Sequence, residues 1–144
     1  MIKVYIQDIV NKRNALTGPV CKKIFSSVWK KDAEITLRIT TVEESQALNH
    51  NFRNQNKPTN ILSFNIESNT TLIGDLVFCH EIIKKEAEEQ NKKIKDHYIH
   101  LALHGFLHLM GHDHLNEKDQ LRMETIEIKT LKLFNIQNPY ISYD

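Results

Sequence analysis

The sequence predicts an α+β fold: a single domain over residues 1–144, with a mixed, mostly four-stranded sheet and helices packed around a central buried histidine-bearing helix. Three observations predict it. Alternating apolar residues mark strands in the first half, helical periodicity runs through the second, and six histidines fall inside the most apolar helical stretch. No internal repeat, low-complexity tract or linker-like stretch divides the chain.

The elements follow in order. Ile2, Val4 and Ile6 alternate with polar residues as a half-buried strand. A helix is predicted over about 15–30, with Val20, Ile24, Phe25 and Val28 on its inner face. Ile35, Leu37 and Ile39 mark a second strand. Thr41-Val42-Glu43-Glu44 fits a capping box, so a helix starts there and runs to about Arg53. Pro58 breaks the chain, and Leu62, Phe64 and Ile66 form a third strand. A turn at 67–71 returns the chain antiparallel as a fourth strand, Leu72–Cys79. Helices over about 80–91, 96–110 and 117–134 complete the order βαβαββααα.

Composition excludes several classes. Hydrophobic residues at 40% and charged residues at 26% place the chain with globular proteins rather than disordered or fibrous ones. The four glycines, at 18, 74, 105 and 111, cannot assemble a dinucleotide fingerprint, a P-loop or a nucleophile elbow, so no nucleotide cofactor is expected. Cys21 and Cys79 form no C-x-x-C pair and read as buried reduced thiols. No stretch reaches membrane-spanning length and no signal-peptide core is present, so a cytoplasmic location without membrane contact is expected. Residues 1–31 carry Lys3, Lys12, Arg13, Lys22, Lys23, Lys30 and Lys31 against Asp8, a local charge of +6 within a total of +1. Such a segment either attracts a polyanion or is a solvated helix face, and charge alone does not choose.

The chemistry concentrates on one helix. His97, His100, His104, His108, His112 and His114 are six of eight histidines, interleaved with Ile99, Leu101, Ala102, Leu103, Phe106, Leu107, Leu109 and Met110. Buried imidazoles need partners, since an unpaired buried polar group costs about 1–3 kcal/mol. Zinc–nitrogen bonds near 2.0–2.1 Å put tetrahedral ligand atoms roughly 3.3 Å apart. Residues i and i+4 share a helix face and meet that spacing, whereas His100, His104 and His108 together span about 12 Å of axis. The third ligand must follow a reversal, and Gly111 supplies a left-handed position for one. His104-x3-His108-x5-His114 with Gly111 at the turn has the ligand spacing of the extended zincin motif. His112 is the alternative third ligand and ranks below His114. Where a zinc peptidase carries its glutamate base, this chain has Gly105, which disfavours peptide hydrolysis by that route. Glycine there also removes bulk beside the metal.

HGFLHLMGHDH at 104–114 closely resembles the H-G-x-L-H-L-x-G-Y-D-H signature of the YbeY family, single-strand-specific endoribonucleases of bacterial rRNA maturation. NHNFRNQNKPTNILSF at 49–64 and IGDLVFC at 73–79 resemble the family as well, so the likeness covers nearly the whole chain. It implies one Zn2+ per chain on His104, His108 and His114, and Arg53 as the basic residue facing the metal cleft. It also implies work on single-stranded RNA with the ribosome, at the 3′ end of 16S rRNA. His112 stands where the family usually has Tyr, which leaves its role open, a contact in the metal's surroundings included. Asn65 replaces a frequent Pro.

On physical grounds, the Arg53 guanidinium can give phosphate two parallel hydrogen bonds, or it merely ends a helix in solvent. Asp75 either orients a histidine's second nitrogen or is a turn residue, and Asp113 is read as a loop or capping residue in the same surroundings. His114 and Arg53 are thus the expected catalytic pair. Two rival readings remain: a metallopeptidase with an unusual base, and a ribosome-associated binding module with structural zinc.

Overall fold

The computed structural model describes residues 1–11, 16–112 and 115–141. Among them the elements are β1 (Ile2–Asp8), α1 (Gly18–Val28), β2 (Ala33–Thr40), α2 (Val42–Arg53), β3 (Ile61–Ile66), β4 (Leu72–Cys79), α3 (His80–Glu89), α4 (Ile94–Leu109) and α5 (Glu117–Leu133). The predicted order and the four-stranded mixed sheet are both present.

The sheet runs β1-β2-β4-β3, parallel between β1 and β2 and between β2 and β4, antiparallel between β4 and β3. Its period of two sorts side chains between faces. Ala33, Ile35, Leu37 and Ile39 of β2 point to one face and are buried, with Gly74 and Leu76 of β4 in register beside them. Helices α1 and α4 cover that face, and Phe25 of α1 stacks on Phe106 of α4 at 4.3 Å with rings 8° from parallel. Apolar residues on nearly every side of α4 are buried, as its sequence demands.

Two glycines let α4 approach so closely. A Cβ at Gly105 would stand 2.7 Å from Ile61 Cδ1 and 2.8 Å from Leu76 Cδ2; one at Gly74 would meet Leu109 at 2.7 Å and the Phe64 carbonyl at 3.0 Å. The missing side chain at 105 therefore makes room for the sheet, and the reading that it clears bulk beside a metal is corrected on that ground. Ser63 Oγ donates to the Gly105 carbonyl at 3.4 Å and Asn65 Nδ2 to the Leu109 carbonyl at 3.2 Å, fixing β3 to the same helix.

Helix α2 lies against the opposite face, where Phe52 meets Phe64 edge-on at 5.4 Å. Thr41 caps it as expected, accepting from the Glu44 N–H at 3.3 Å. The other half of the capping box does not form. The Glu44 carboxylate instead takes Arg38 Nε at 2.5 Å and Nη2 at 2.9 Å, plus Thr40 Oγ1 at 2.6 Å, because a bidentate guanidinium outbids one backbone N–H. Cys21 and Cys79 are buried free thiols, and burial pushes the Cys21 pKa up to about 12. No helix among the described residues is long and apolar enough to cross a membrane.

Candidate metal centre

Helix α4 delivers its histidines along one line. Ring centroids are 6.2 Å apart for His97 and His100, 6.3 Å for His100 and His104, and 4.7 Å for His104 and His108. In the last pair the Nε2 atoms face each other at 3.2 Å. That separation is the roughly 3.3 Å expected between two nitrogens on one tetrahedral ion.

The carboxylate behind them is Glu127 of α5, which is fully buried. Its Oε1 lies 3.2 Å from His104 Nδ1 and its Oε2 lies 2.6 Å from His100 Nε2, while the Tyr140 hydroxyl donates to both oxygens at 2.9–3.0 Å. Burial alone would raise the Glu127 pKa; the hydrogen bonds and charges of His100 and His104 outweigh it and hold the group at about 2. An ionised Glu127 requires a proton on His104 Nδ1, and that tautomer leaves the Nε2 lone pair directed at the partner histidine. Metal-bound imidazoles characteristically carry such a carboxylate on their second nitrogen. The donor set therefore fits a metal ion. His100, His104 and Glu127 also bring one ligand-capable atom each within 4.8 Å of one another and could hold an ion themselves. An ion held there would replace the two histidine–carboxylate hydrogen bonds, whereas one held at the His104–His108 pair would leave both intact.

The reversal after α4 is built as its glycine requires. Gly111 has φ +102°, its N–H reaches the His108 carbonyl at 3.0 Å, and the His112 N–H reaches the Leu107 carbonyl at 3.0 Å. The two bonds satisfy two terminal carbonyls and turn the chain back. His114 and Asp113 lie outside the described residues. His112 is half-buried just past the turn and belongs to no group of three metal-capable side chains among the described residues.

A cleft of about 950 Å³ opens over the pair, lined by Arg53, Ser63, Asn65, His100, His104 and His108 among others. Arg53 sits in the last turn of α2. Its Nη2 donates to the Ser63 carbonyl at 2.6 Å and its guanidinium carbon lies 5.2 Å from the Phe64 ring centre, so the exposed side chain lies along the cleft wall. None of the described basic residues of 1–31 lines this cleft.

Asp75 is placed elsewhere. Its neighbours Gly74 and Leu76 face α4, so strand alternation puts Asp75 on the other face beside Phe64. Of the two readings of Asp75, an orienter of a histidine or a turn residue, neither fits a mid-strand position turned away from α4, and the carboxylate on His104 Nδ1 is Glu127. Sequence reasoning passed over Glu127 and Tyr140. A signal for the first was present: Met123, Glu127, Thr130 and Leu131 form one buried stripe, and a carboxylate on such a stripe needs partners.

The sequence profile of the family described as Endoribonuclease YbeY matches residues 7–135. Endoribonuclease YbeY of Colwellia psychrerythraea is 47% identical over 120 residues, covering 81% of this chain and 77% of that one. The protein of the same name from Nitrosomonas eutropha is 38% identical over 136 residues, covering 94% and 96%. In fold, the solution structure of TM1509 from Thermotoga maritima aligns with a TM-score of 0.59 at 21% identity, over 92% of this chain and 87% of that one. A profile match across nearly the whole chain, with relatives aligned over most of both lengths, establishes that this chain belongs to the YbeY family.

Proposed function

We propose that this protein is a zinc-dependent, single-strand-specific endoribonuclease acting in the cytoplasm on ribosomal RNA, at the 3′ end of the small-subunit 16S rRNA, in contact with the ribosome. Family membership supports phosphodiester cleavage, and the endoribonuclease names of its relatives support RNA as substrate. The observation that carries the metal dependence is the 3.2 Å separation of His104 and His108 Nε2 with Glu127 behind His104. His104, His108 and His114 hold the ion. Three neutral imidazoles leave zinc its full charge, and it supplies Lewis-acid polarisation of a phosphoryl oxygen.

The chain's own residues supply the rest. Glu127 keeps the proton on His104 Nδ1 and fixes the ring's orientation. Arg53 has five donors, of which one is held by Ser63, so the remaining edge is available to phosphate oxygens and to the charge that grows as the bond breaks. Ile61, Ser63 and Asn65 of β3 form the cleft wall along which the substrate strand would lie. A peptidase reading is disfavoured by packing as well as by sequence, because a side chain at position 105 points into Ile61 and Leu76 and would have to displace both.

Zinc analysis beside cleavage of a single-stranded oligoribonucleotide tests the proposal. His114→Ala should lose most of its zinc and all cleavage. Arg53→Ala should keep its zinc and lose about 100-fold in turnover, with Arg53→Lys failing to restore it. Unchanged zinc stoichiometry in His114→Ala would remove that residue from the ligand set, and full activity in Arg53→Ala would remove Arg53 from the chemistry.

A further inference from the structure

The cleft continues past the metal pair, along α4 toward its N-terminus, and ends at a second polar constellation. Glu86 of α3, 29% exposed, lines this end with Asn60, Gln90, Lys92 and His97. Its Oε1 accepts from Asn60 Nδ2 at 3.1 Å and from His97 Nε2 at 3.0 Å. Asn60 is itself fixed, since its Oδ1 takes the Ile61 N–H at 2.7 Å and its backbone carbonyl takes the Cys79 N–H at 2.9 Å. The carboxylate is therefore held from two sides by neutral donors. Burial lowers the His97 pKa against the raising effect of Glu86, so the ring does not cancel the carboxylate's charge. His97 Nδ1 is buried without a partner, which matches a neutral ring whose one proton sits on Nε2.

A carboxylate has about four acceptor sites. Among the described residues, Oε1 has two strong donors, whereas Oε2 receives one 3.4 Å contact, from Asn60. Glu86 lines the cleft, so this less-engaged carboxylate stands at its wall beside His97, which lies about 10 Å along the helix axis from His104 at 1.5 Å per residue. A negative oxygen repels phosphate and selects a donor. Among groups that a single strand presents, the exocyclic amines of cytosine, adenine and guanine fit such an acceptor. Uracil has none, and its only edge donor is flanked by two carbonyl oxygens that oppose the carboxylate.

We infer that Asn60, Glu86 and His97 form a nucleobase subsite that favours an amino-bearing base over uracil beyond the scissile phosphate. The inference rests on the endoribonuclease reading for its substrate class and adds the specificity determinant of the same cleft. Glu86 acts by direct contact with the base, while Asn60 and His97 are positioning residues. Lys92, close enough to feel the Glu86 charge, stands beside the subsite as a donor for the ring acceptors next to the amine.

The experiment uses single-stranded oligoribonucleotides of one sequence with A, C or U at each position in turn. Binding is measured by fluorescence anisotropy on metal-free protein, and cleavage on zinc-loaded protein. The wild type should prefer A or C over U at one position by about tenfold in both readouts. Glu86→Gln presents an N–H as well as an oxygen and should bring the ratio close to one, with zinc content retained. Asn60→Ser, which frees the carboxylate without removing it, should weaken the preference and leaves a test should Glu86→Gln fail to fold. Cleavage with no base preference, or a preference that survives Glu86→Gln, overturns the subsite and leaves the endoribonuclease reading standing. Failure to cleave any RNA sinks the endoribonuclease reading, and the anisotropy ratio on metal-free protein then still decides the subsite.

Discussion

At the scale of single residues, the site depends on two positions that look minor in the chain. Glu127 is one carboxylate among many in the sequence, yet it is fully buried and receives two histidines and a tyrosine. Glu127→Gln keeps the shape but removes the charge that holds the proton on His104 Nδ1. Zinc affinity should fall by about 10–100-fold, measured by competition with a chromophoric chelator, with the fold retained in circular dichroism. Equal affinity in both proteins would show that the carboxylate plays no part in tuning the ligand. Gly105 is the other position. Installing the glutamate that peptidases carry there should not create a peptidase. Gly105→Glu drives a charged side chain into Ile61 and Leu76 and should cost at least about 3 kcal/mol in urea unfolding. The histidines and their spacing were legible because imidazoles on an apolar helix are conspicuous. Glu127 was not, because its partner elements lie 23 and 27 residues away in sequence and only tertiary packing joins them.

Alternation and helical periodicity located the nine elements of the described residues, with ends shifted by a few residues, since local patterns fix type better than boundary. The Gly111 reversal was legible because positive φ has few residue types to serve it. The N-terminus of α2 shows the limit. Thr-x-x-Glu specifies a cap locally, but Arg38 arrives from β2 and takes the glutamate. The Arg38 hydrogen bonds, the largest influence, hold the Glu44 pKa below its ordinary value. A depressed folded-state pKa contributes stability above the unfolded value, near 4.3–4.5, and loses it as the pH falls through the folded one. Glu44→Gln should therefore cost about 1 kcal/mol at pH 7, given a part-exposed bidentate pair, and progressively less as the pH falls below the unfolded value. Urea unfolding of both proteins across that range checks the sign. A difference that persists undiminished at low pH assigns the effect to packing instead of charge.

For the whole molecule, the strand order was the least legible feature, because β4 enters between β2 and β3 and the crossover that puts it there leaves no local pattern. Its consequence is functional: insertion of β4 places β3 at the sheet edge, where Ser63 and Asn65 join α4 and form the cleft wall with Arg53. The proposed zinc ligands come from α4 and from the segment after Gly111, so the ion would join parts that the unfolded chain does not hold together. Anything that binds only the folded state stabilises it by mass action, about 2.7 kcal/mol at one hundred times the dissociation constant. For a chain of this length that is a rise in Tm of roughly 10 °C. Zinc added to metal-free protein at pH 7.5 should produce that rise, and a chelator should reverse it. His104→Ala should abolish the shift while its melting without zinc changes far less. Equal shifts in wild type and His104→Ala would place the ion somewhere other than the imidazole pair on α4, and the proposed centre would have to be abandoned.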